Sequence, residues 1–172
     1  MTRGERVAVS GLSLSAVGFV AILLHESFVP TAMIPTINDR PTIGYGSTLK
    51  EDGTPVKMGE TITPPAATAR ALTHIQKDES GLKRCVRAPI NQTEYDVLVD
   101  FSYQYGIART CNSSMVRNIN AYQYRAACHG YTLYKFSGGY DCTTLINGEP
   151  NKRCWGVWTR NLERRDRCLS AQ

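Results

Sequence analysis

From Val7 to Leu24 the chain reads VAVSGLSLSAVGFVAILL, eighteen residues without a charge, preceded by Arg3 and Arg6 and followed by His25 and Glu26. As a helix this run reaches about 27 Å, enough to span the hydrocarbon core of a bilayer. Arginines on its N-terminal side alone predict an N-terminus held inside and a remainder that is exported. Val20 to Leu24 offer no small-x-small cleavage site, and cutting at Ala16-Val17-Gly18 would fall inside the apolar run. The sequence therefore favours an uncleaved anchor over a cleaved signal peptide. Eight of its eighteen residues are Ala, Gly or Ser. Such a segment forfeits much apolar burial, so its hold on the bilayer is weak and escape is physically accessible; packing against another membrane helix is the alternative use of those small residues.

Beyond the run the pattern changes twice. Residues 25–62 read as a small β-rich lobe, with Pro41-Thr42-Ile43-Gly44-Tyr45-Gly46-Ser47-Thr48 strand-like and Glu51-Asp52-Gly53-Thr54 a turn. Helical signals follow. Thr63 with Pro64 and Pro65 opens a helix that runs to about Lys83. Asn91 with Glu94 has the form of a capping box, after which Tyr95, Leu98, Val99, Ser102 and Tyr105 share a face that ends at Gly106. A further helix is expected from about Asn112 to Cys128, with Met115, Val116, Ile119, Tyr122 and Ala126 inward, and a last one from Gly156 to Leu169. Between these two, Ser137-Gly138-Gly139 and Asn147-Gly148 mark an irregular stretch.

Six cysteines, at 85, 111, 128, 142, 154 and 168, form no C-x-x-C pair and are accompanied by three histidines, which argues against a zinc site; no metal or cofactor is expected. An even number of cysteines in an exported chain points to up to three disulfides, with buried free thiols as the alternative. Cys142 and Cys154, twelve apart around the irregular stretch, are the favoured pair; Cys85, Cys111, Cys128 and Cys168 allow three pairings between them. The net charge of +5 owes much to the end of the chain, where Glu163 and Asp166 nevertheless interrupt the arginine-rich helix. That end suits an anionic wall polymer better than a nucleic acid.

Glu26, Asp39 and Thr42 lie on or beside the first exported loops, and paired carboxyl groups are what glycosidic cleavage needs, one protonated as acid and one ionised. Alone, that pairing has little specificity. Glu26, the P-T-I-G-Y-G of 41–46, the Asn91–Gly106 pattern N-Q-x-x-x-D-x-L-V-x-F-x-x-x-x-G and Cys154-Trp155-Gly156-x-Trp158-x-Arg160 together resemble the phage-type lysozymes of glycoside hydrolase family 24. With the weak uncleaved anchor, the chain resembles a signal-anchor-release endolysin.

The resemblance implies an α+β, lysozyme-like fold of two lobes, one small and β-rich and one mainly helical, over residues 25–172, with residues 1–24 as the signal-anchor helix. It implies a monomeric muramidase whose partners are peptidoglycan strands and, before release, the host inner membrane through residues 7–24. Its location would be that membrane first, N-terminus inside, and the periplasm afterwards. Glu26 would be the general acid, Thr42 would position water, and Arg160 would pair with the catalytic glutamate. One departure stands out: the family's usual aspartate position, six before the threonine, is Thr36, and Asp39 is the only acid in that loop. Asp39 either replaces the missing acid or caps the turn Asn38-Asp39-Arg40-Pro41. In the second case Glu26 would act alone, as in a lytic transglycosylase. A membrane-anchored peptidoglycan-binding protein without catalysis is the remaining alternative.

Overall fold

A computed structural model describes residues 4–35 and 39–172. The chain forms two compact units, one of Ser15–Ser80 and one in which the residues up to Leu14 join Gly81–Gln172. The boundary between these units falls inside the apolar run, after Leu14.

In the first unit, helix α1 (Ala16–Glu26) starts where the Ser15 hydroxyl oxygen accepts a hydrogen bond from Gly18 N at 3.0 Å, an N-cap that ends the preceding segment. Strands β1 (Val29–Met33) and β2 (Thr42–Gly44) pair antiparallel, Val29 opposite Gly44 and Met33 opposite Thr42, with an irregular register between. Ala32, Ile43, Val56 and Ile62 make the small core behind them. The expected turn is present: Lys50 N donates to Thr54 O at 2.8 Å, and Asp52 Oδ1 accepts from Thr54 N at 2.9 Å. Helix α2 (Pro64–Cys85) carries its prolines in the first turn, where a backbone N–H has no helical partner to lose, and runs on into the second unit.

In that second unit α3 (Gln92–Tyr105) has the capping box: Asn91 Oδ1 accepts from Glu94 N at 2.9 Å and Glu94 Oε2 accepts from Asn91 N at 2.8 Å. Every residue from Glu94 to Ser102 is buried, so α3 is a central rather than an amphipathic helix. Helices α4 (Ile107–Cys111), α5 (Ser114–Asn120), α6 (Tyr124–Gly130) and α7 (Trp155–Ser170) complete the helical set. The irregular stretch contains two short hairpins, β3 (Phe136–Ser137) with β4 (Tyr140–Asp141) and β5 (Leu145–Ile146) with β6 (Glu149–Pro150). Disulfides join Cys85 to Cys111, Cys128 to Cys168 and Cys142 to Cys154.

The single helix expected over 112–128 is a correction. It is broken into α5 and α6 because Tyr122 sits at φ 60°, a left-handed conformation that no right-handed helix can pass through. Asn120 just before the break is occupied elsewhere, its Oδ1 accepting from Arg87 N at 2.7 Å and its Nδ2 donating to Cys85 O at 2.9 Å. The break also turns the faces. Tyr122 and Ala126, expected inward, are exposed, while Ala127 and the disulfide-bonded Cys128 are buried.

The apolar run is divided between the units. Residues 4–14 form a strap in the helical unit: Val7 and Ile90 exchange backbone hydrogen bonds of 3.0 Å each way, a 3-10 turn spans Val9–Gly11, and Val9 and Leu12 are buried. Gln92 Nε2 donates to Ser13 O at 2.8 Å. Serines at 10, 13 and 15 offer the backbone local alternatives to a continuous helix. No helix among the described residues is long and apolar enough to cross a membrane. Arg3 lies outside the described residues.

Candidate active site

The β-rich unit positions the candidate acid. Glu26 is the last residue of α1 and is half-buried, and the next residue, Ser27, turns the chain at φ 55°, ψ 147°. Few residues other than glycine tolerate that region, so the exit from α1 beside Glu26 holds strained backbone. Phe28 then packs on Tyr45, ring centroids 5.6 Å apart, and this contact draws the segment after Glu26 to the turn after β2.

That turn explains the spelling T-I-G-Y-G. Ile43 enters the core, and Ile43 and Ser47 exchange backbone hydrogen bonds of 3.0 Å each way, closing a tight loop. A Cβ at Gly44 would stand 2.8 Å from Cβ of Ala67, too close for any side chain. Gly46 adopts φ +79°, and a Cβ there would lie 3.3 Å from Glu26 Oε2. Backbone without a side chain therefore lies directly against the carboxylate. The structure thus brings Glu26 and the 42–46 segment together. Thr42 is half-buried, and its hydroxyl donates to Met33 O at 3.4 Å.

Asp39 is exposed, and its Oδ1 accepts from Arg40 N at 2.8 Å, the local bond of a turn residue. Thr36 and Asn38 lie outside the described residues. His25 is exposed beside Glu26.

Arg160 belongs to the helical unit. Its Nη2 donates to Asp100 Oδ1 at 2.7 Å, and the other oxygen of Asp100 accepts from Arg164 Nε. Arg164 also donates to Asn161 Oδ1 and Gln104 Oε1, each at 2.7 Å, and to Asp100 O at 3.1 Å. Burial pushes the Asp100 carboxyl up, but the two guanidinium groups outweigh it and leave it below the usual carboxylate range. A buried acid facing two buried arginines is a structural hub joining α3 to α7. Nothing local in the sequence marks Asp100 or Arg164 beyond the spacing of Arg160 and Arg164, one helical turn apart. The same unit carries a shallow hollow of about 260 Å³ lined by Arg109, Arg117, Ser114 and Tyr134 among others.

The family model described as phage lysozyme matches residues 24–152. The chain belongs to the phage lysozyme family. The endolysin of Salmonella phage P22 is 35% identical over 98 residues, which cover 57% of this chain and 67% of that one. The endolysin of Bacillus phage B103 is 24% identical, and there the match spans only 41% of the relative. Among solved structures, an endolysin from Escherichia coli O157:H7 phage FAHEc1 has a TM-score of 0.76 at 25% identity, covering 98% of each chain. The α+β two-lobe fold of these phage lysozymes is therefore the fold of this chain, and its activity is that of a muramidase, a glycoside hydrolase acting on peptidoglycan.

Proposed function

We propose that the chain is a phage endolysin exported in an inactive form, tethered to the host inner membrane by residues 7–24. Once released into the periplasm, it cleaves the β-1,4 bond between N-acetylmuramic acid and N-acetylglucosamine and lyses the cell. The observation that carries this reading is the division of the apolar run, whose first part is a strap of the helical unit and whose second part is α1, ending on Glu26. Drawn into a bilayer as one helix, residues 7–24 would deprive one unit of its strap and the other of the helix that positions its acid. The outer face of α1 supports the same history: Val17, Val20 and Leu24, at helical spacing, are 76%, 53% and 78% exposed. A stripe of that kind is suited to lipid contact.

In the released enzyme Glu26 acts as general acid, and Thr42, with Asp39, handles the attacking water. Arg160 is assigned the supporting role that the resemblance implies. A second reading follows from the turn bond between Asp39 and Arg40: with Asp39 occupied in that way, Glu26 alone would drive a transglycosylase reaction. Mass spectrometry of the fragments released from peptidoglycan by the oxidised full chain decides between them. Reducing ends carrying an added water are expected. Anhydro ends would establish the transglycosylase, and a protein that sediments with walls and releases nothing would be a binding protein. Fractionation of expressing cells tests the tether, with early membrane association and later soluble activity expected.

A further inference from the structure

Arg6 precedes the apolar run, where its positive charge orients the tethered chain. In the structure it has an entirely different environment. Its Nη2 donates to Glu94 Oε1 at 2.7 Å and to Gln172 Oε1 at 2.8 Å, and its Nε donates to Glu94 Oε2 at 3.2 Å. The guanidinium carbon stands 3.7 Å from the ring centroid of Tyr124, whose hydroxyl is fixed by donating to Pro89 O at 2.8 Å. The Glu94 side chain is 2% exposed, and Gln172 Nε2 donates to Glu94 Oε1 at 2.9 Å. A carboxylate in fork geometry, an amide oxygen and an aromatic face make a receptor for a planar guanidinium, which an ammonium would fill poorly. Gly4 lies against Asn91 on one side of Arg6, and the Val7–Ile90 pairing secures the other.

From this geometry we infer that Glu94, Tyr124 and Gln172 form an arginine-receptor site that is filled only after release, so that Arg6 first orients the tethered form and then locks the released one. The inference rests on the tethered reading given above. With the helical unit exported and the N-terminus inside, Arg6 and Glu94 are on opposite sides of the bilayer. Glu94 is then a capping-box carboxylate without its principal counter-ion, and that deficit favours the released state, because only that state supplies the guanidinium. The same arginine, together with Arg3, contributes to the delay. Its outward passage crosses hydrocarbon and works against an inside-negative potential, so loss of the potential removes part of the barrier.

Two full-length variants separate the roles. Arg6→Lys keeps the orienting charge and loses the fork and the stacking. Glu94→Gln leaves the N-terminus untouched and keeps the capping box, since a glutamine oxygen accepts from Asn91 N equally well. In the purified released protein, hydrogen exchange at Val7 and Ile90 is expected to accelerate about 10- to 100-fold in both variants, with no change at α5 amides. In cells, both variants should reach the membrane like wild type, and a smaller fraction of each should accumulate in the released form. Unchanged exchange at Val7 and Ile90 would overturn the lock whatever the membrane result. Faster exchange in a chain that never fractionates with membranes would overturn the tethered reading and the timing role, and would leave Arg6 a structural clamp only.

Discussion

Glu26 Oε2 and the α-carbon of Gly46 are so close that an added β-carbon would stand 3.3 Å from the oxygen. Gly46→Ala therefore has two effects. The left-handed φ of +79° becomes unfavourable by about 1–2 kcal/mol, and the new methyl presses on the carboxylate. A displacement of the acid by a fraction of its bond length to substrate is expected to lower kcat by about 10- to 100-fold. Steady-state turnover on purified peptidoglycan, measured far below the melting temperature, checks this. Wild-type turnover in the alanine variant would show that Glu26 is not held against the turn during catalysis.

Ser27 follows Glu26 in a conformation that suits glycine. Ser27→Gly should stabilise the β-rich unit by about 1 kcal/mol by relieving that strain, offset in part by the greater freedom of glycine in the unfolded chain. A denaturant midpoint that falls would mean that the serine hydroxyl contributes more than the strain costs.

These sites differ in how far the sequence foretells them. The capping box at Asn91 and Glu94, the proline start of α2 and the glycine-bearing turn after β2 are written in residues within five positions of each other, and local rules read them directly. The break at Tyr122 is invisible to the same rules, since Asn112 to Cys128 keeps helical periodicity while Asn120 is drawn to Cys85 and Arg87 from another part of the chain. Asp100 is read as one more polar residue of α3 because its partners are 60 and 64 residues away. The strap fails for the same reason, with Arg6 and Glu94 separated by 88 residues. Hydrophobicity assigns residues 7–24 to a membrane, and only the tertiary structure offers them a second place. At the candidate site the motif nominates Glu26 and Thr42, while the Phe28–Tyr45 contact needs coordinates.

Gly81 is small for packing rather than for its backbone. A Cβ there would stand 2.3 Å from Cγ1 and 2.9 Å from Cδ1 of Ile107, so that side chain would have to shift. Gly81→Ala is expected to cost about 1–3 kcal/mol. Adding Ile107→Ala should recover part of that loss, so a double-mutant cycle measured by denaturant unfolding must show coupling between the two positions. Additive losses would exclude the contact.

Asp100 supplies the pH dependence. Its carboxyl is held below the usual range by Arg164 and Arg160 despite burial, so its folded pKa is lower than the unfolded value of about 3.9. A depressed acid binds fewer protons in the native state, and its contribution is complete above the unfolded pKa and disappears as pH falls through the folded one. Asp100→Asn removes the charge and leaves two buried guanidinium groups without it, at a cost of about 3–5 kcal/mol near neutral pH. The acids at other sites titrate alike in both proteins, so the difference between wild type and variant isolates this one. That difference should be constant from neutral pH down to about 4 and shrink below it, as protonated Asp100 loses its advantage over asparagine. Unfolding midpoints collected across that range would test the sign as well as the size, and a difference that grew on acidification would reverse the assignment of Asp100 as the ionised centre of the α3–α7 contact.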